Sequence, residues 1–67
     1  MTHTLASLAA AFRAVKVDTS YRQIGKRALR DAKSLGDRNP ERVAELLAIA
    51  ARNLPHAQAA QTLWGAR

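Results

Sequence analysis

From Leu5 onward the apolar residues return every three or four positions: Leu5, Leu8, Phe12 and Val15, then Tyr21, Ile24, Ala28, Ala32 and Leu35, then Val43, Leu46, Leu47, Ala50 and Leu54. That is the period of one face of an α-helix, repeated along most of the chain. Composition agrees, because fifteen alanines stand against three glycines and two prolines, with few of the β-branched residues that strands favour. The expected fold class is all-α: a compact bundle of four short helices in a single domain covering residues 1–67.

Local signals place the helices at about 4–16, 20–35, 40–53 and 55–64. Thr4 is the expected N-cap of the first. Ser20, followed three residues later by Gln23, has the form of a capping box for the second, and Gly36 closes it. Asn39, Pro40 and Glu41 read as N-cap, first helical position and an acid complementing the helix dipole. The stretch Asn53-Leu54-Pro55 predicts a break, since proline disfavours a helical residue before it yet suits the first turn of a new helix. Gly65 reads as the residue just past the last helix.

A chain of 67 residues buries only about 60% of its unfolded surface, and a core this small rarely supplies more than about 3–5 kcal/mol. Without cysteine, neither a disulfide nor a thiolate metal site can add to it. The uncharged stretch Met1 to Phe12 is too short and polar to cross a bilayer and lacks the basic start of a secretory signal. A soluble, cytoplasmic protein without membrane partners is expected.

Catalytic equipment is thin: two histidines, five carboxylates and one tyrosine. His3 lies near the terminus, and His56 has no acid at helical spacing to orient it. Asp31, four residues after Arg27, is explained by an intrahelical ion pair, and Asp37 and Glu41 by the turn they flank. Gly25, Gly36 and Gly65 are too scattered to form a phosphate-cradling loop. No enzyme, no metal and no cofactor is expected.

What departs from an ordinary small domain is charge, a formal +6. Arg22, Lys26, Arg30 and Lys33 stand four, four and three residues apart, so they form a stripe along one side of the second helix, and Arg27 widens it. Arginine forks and lysine point charges on such a stripe suit a run of phosphates. The expected function is therefore a small non-enzymatic binding or regulatory protein that contacts nucleic acid through this face. The alternative is a regulator or inhibitor docking on an acidic protein surface. Membrane-surface binding is disfavoured, because the apolar side of that helix is small and carries no tryptophan or phenylalanine.

Ile49 to Trp64 also has the outline of a helix-turn-helix, with Asn53 in a left-handed turn and His56, Gln58, Gln61 and Thr62 reaching base edges. Against it, Ile49 is bulky for the turn and the second helix lacks basic residues before Arg67. Trp64 and Tyr21 read first as core. Ile49, outside the main apolar arc of its helix, and Trp64 are the candidate interface residues. A homodimer is expected with the basic helices outside, since pairing them would bring like charges together. Capping boxes and alanine-rich amphipathic helices are common to unrelated domains and point to no family.

Overall fold

The computed structural model describes residues 4–65; His3 and Arg67 lie outside them. Its helices are α1 (Leu5–Ala14), α2 (Ser20–Leu35) and α3 (Pro40–Gly65). There are three helices, not four.

The correction falls at Pro55, where α3 continues without a break. An interior proline forfeits the bond its N–H would make to the Ala51 carbonyl and costs about 3 kcal/mol relative to alanine. Packing offsets that cost. Leu46, Ala50, Leu54 and Ala57 are all buried at spacings of four, four and three, one face that runs straight past the proline. A break there would take Ala57 and the turns after it out of register, whereas each well-buried leucine contributes about 1.5–3 kcal/mol. Pro55 itself points to solvent. Asn53 does not act as a turn residue either: its Nδ2 donates to the Ile49 carbonyl at 2.8 Å, within the helix.

The other boundaries follow local chemistry closely. Thr4 caps α1 in a reciprocal box with Ser7: its hydroxyl accepts from the Ser7 N–H at 3.1 Å, and the Ser7 hydroxyl accepts from the Thr4 N–H at 3.0 Å. Helix α1 stops at Ala14, two residues before the expected end, because extended Val15 turns into the core. The cap of α2 is Thr19, not Ser20, and its hydroxyl accepts from the Arg22 N–H. Gln23 instead donates to Asp18. Gly36 ends α2 with φ +55, a conformation that favours glycine, and Asn39 caps α3 through the Arg42 N–H.

Helices α2 and α3 form an antiparallel pair joined by a short turn. Tyr21 at the start of α2 stacks on His56, with ring centroids 4.8 Å apart. At 1.5 Å per residue, α3 is about 39 Å long against about 24 Å for α2, so its last turns overhang the pair. Helix α1 lies across that end and buries Leu8 and Phe12, the largest fully enclosed side chains. Two features seat it. The Phe12 ring sits over Gly25, and Gln61 Oε1 accepts from the backbone N–H groups of Lys16 and Val17 at 2.8 and 2.9 Å.

Two apolar expectations, Trp64 and Tyr21 as core residues, are corrected by this arrangement. Trp64 is 61% exposed on the overhanging end of α3, not core. Tyr21 and Ile24 are 42% and 46% exposed, because α2 is rotated to bury Gly25, Ala28, Leu29 and Ala32 between its two neighbours. Ile49, in contrast, is half-buried against the core.

Candidate nucleic-acid interface

The face in question is built by the rotation of α2. Once Gly25, Ala28, Leu29 and Ala32 turn inward, the long side chains at 26, 27, 30 and 33 point outward. Lys26, Arg27, Arg30 and Lys33 are all exposed. From Lys26 to Lys33 the helix advances about 10 Å, two turns carrying four cations. Among the described residues, ion pairs within 4 Å form between Arg22 and Asp18 and between Arg42 and Glu45. Neither involves these four. The expected Arg27–Asp31 pair is therefore not made, and both side chains extend into solvent.

Arg22 behaves differently from its neighbours. Its Nε donates to the Val15 carbonyl at 3.0 Å, and its guanidinium lies 3.6 Å from the Asp18 carboxylate. The side chain keeps a quarter of its surface exposed. It fastens the α1–α2 connection to α2, and so belongs to the stripe in sequence but to the loop in structure. Arg38 is similarly occupied, donating to the Ser34 and Leu35 carbonyls at the end of α2.

Two depressions open beside Lys26. One, of about 380 Å³, lies among Arg22, Gln23, Lys26, Arg27 and Arg30 on the outer side of α2. The other, of about 190 Å³, runs between α1 and α2 over Ala9, Phe12 and Leu29, with Arg13 and Lys26 at its rim. Arg13 was not legible as part of the face, because its place beside Lys26 depends on how α1 docks. The only sequence signal for that docking was a lone glycine inside a helical pattern, at position 25.

The helix-turn-helix outline is overturned. No turn interrupts 49–64, and no described non-glycine residue, Asn53 included, adopts a positive φ. Gln61 is engaged with the α1–α2 loop, and the Thr62 hydroxyl donates to the Gln58 carbonyl. Among the described residues no three histidine, cysteine or acidic side chains gather where they could hold a metal ion, and no helix is long and apolar enough to cross a membrane. Compared with protein-family models, curated proteins and solved structures, the chain matches none.

Proposed function

We propose that this protein is a non-enzymatic binding module that contacts the phosphate backbone of nucleic acid through Lys26, Arg27, Arg30 and Lys33, with Arg13 of α1 extending the surface. The observation that carries this reading is the set of four exposed cations on two turns of α2, none within 4 Å of a carboxylate among the described residues. A structural surface helix usually answers its basic residues with acids at i,i+4, and here the one acid so placed, Asp31, makes no such pair. Nothing on this face selects a base edge, so binding is expected to be indifferent to sequence.

Fluorescence polarisation with a labelled DNA duplex across a salt series is the test. If the four side chains each neutralise a phosphate, log Kd should change with log salt at a slope of about 3.6, taking 0.9 per contact. Each alanine substitution should lower that slope by about 0.9. Absence of binding at about 50 mM salt, or a slope indistinguishable from zero, refutes the reading. Equal affinity for a polyglutamate chain would shift the case to an acidic protein surface.

A further inference from the structure

We propose that the side of the α2–α3 pair turned away from α1 is the contact surface for a second copy of this chain, in a two-fold homodimer built on Tyr21, Ile24 and Leu63. This inference is independent of what the basic face binds.

Helix α1 covers one flank of the pair, the flank of Gly25, Leu29 and Lys26 on α2 and of Gln61 on α3. At about 100° per residue, Ile24 lies on the opposite edge of α2, while Ile49, His56 and Leu63 share the matching edge of α3. The Tyr21–His56 stack bridges the two helices. Among the described residues no further element covers this side. Ile24 and Leu63 stay 46% and 72% exposed, and Ile49 is only half-buried.

Surface area points the same way. The chain exposes 4899 Å². A compact monomer of 7.3 kDa is expected to expose about 4,200 Å². The excess, roughly 700 Å², is close to the ~800 Å² that each partner loses in an interface of standard size. The dimensions of 43 × 22 × 15 Å say why: the molecule is a long, thin layer of two helices with a third laid over one side. A copy of the same layer would supply the missing half.

Charge favours a second copy over an unrelated basic or acidic partner. Asp31 on α2 and Arg52 on α3 border the apolar strip, both exposed and neither within 4 Å of an opposite charge among the described residues. An isologous contact offers Asp31 of each strip a base from the other copy, Arg52 or Arg27. Arg27, three residues after Ile24 and four before Asp31, borders the strip as well, whereas Lys26, Arg30 and Lys33 point from the far side of α2 and stay outside the interface. The contact therefore centres on Tyr21, Ile24 and Leu63, with Ile49 as its half-covered floor.

Sedimentation equilibrium from about 5 to 500 µM, with no nucleic acid present, tests the proposal against affinities typical of specific dimers. The expected result is a mass approaching twice 7.3 kDa at the upper end. Ile24→Asp should hold 7.3 kDa throughout while keeping the helical circular dichroism of the parent. A parent mass of 7.3 kDa at every concentration overturns the dimer, as does an Ile24→Asp variant that dimerises as well as the parent. Should Ile24→Asp fail to fold, crosslinking decides. The chain has no cysteine, so Ile24→Cys and Arg30→Cys each introduce a single thiol. A short bis-maleimide should join Ile24→Cys into dimers and leave Arg30→Cys monomeric, and the reverse pattern overturns the proposed face. A parent chain that dimerises but does not bind DNA would refute the basic-face reading alone.

Discussion

Phe12 and Gly25 fix how closely α1 approaches α2. A Cβ built on Gly25 would stand 2.1 Å from Phe12 Cζ and 2.3 Å from Cε1, distances no side chain can share. Both residues are buried. The absence of a side chain at position 25 is thus what allows the far end of the largest core side chain to reach the α2 backbone.

Gly25→Ala tests this contact, because two effects oppose each other. Helix propensity favours alanine by about 1 kcal/mol. Forcing a methyl group beneath a packed ring costs typically 1–3 kcal/mol, and at this distance the ring must leave its site. The expected result in urea denaturation is a net loss of about 1–2 kcal/mol. Combined with Phe12→Leu, the same alanine should cost markedly less, since the clashing ring atoms are gone. Additive effects of the two substitutions would show that the contact does not limit packing.

Pro55→Ala separates a continuous α3 from two helices joined at the proline. In an interior position the substitution returns a donor to the Ala51 carbonyl. It should stabilise the protein by about 2 kcal/mol, after deducting the lost stiffening of the unfolded chain. At the first position of a new helix the same change would be neutral or destabilising. The sign of the shift in the urea midpoint is the readout.

Gln61→Ala should destabilise by about 1–3 kcal/mol, because the side-chain oxygen is the acceptor for both the Lys16 and Val17 N–H groups. Gln61→Glu keeps an acceptor oxygen at this position and should recover most of the loss. Amide hydrogen exchange gives a local check: protection at Lys16 and Val17 should fall in the alanine variant and persist in the glutamate one.

Arg22 and Arg30 lie two turns apart on one stripe, yet their substitutions should behave oppositely. Arg22→Ala removes the bond to the Val15 carbonyl and the pairing with Asp18, and should lower stability by about 1–2 kcal/mol. Arg30→Ala, at an exposed position, should change stability by less than about 0.5 kcal/mol. Under the proposed function it weakens duplex binding and lowers the salt slope by about 0.9. Paired thermal melts and salt titrations of the two variants check both halves.

The sequence by itself determined the helical class, the limits of α2, the caps at Thr4 and Asn39 and the closing glycine at 36, because each depends on backbone groups within a few residues. It also determined that residues 26, 27, 30 and 33 share a face, which follows from the helical period alone. Tertiary structure decided the rest. Proline's local preference lost at position 55 to a buried stripe, Leu46 to Ala57, that only a continuous helix keeps in register. Likewise, Arg22 left the set of unpaired, outward-pointing cations when the α1–α2 loop offered it a carbonyl and a carboxylate, while Arg13 came beside Lys26 when Phe12 settled on Gly25. Tyr21, Ile24 and Trp64 stayed exposed because α2 presents its smallest residues, Gly25, Ala28 and Ala32, to its neighbours, and α3 outruns them. Periodicity states which residues lie on one side of a helix, but how far each side is covered is set by the lengths and closest approach of the other helices.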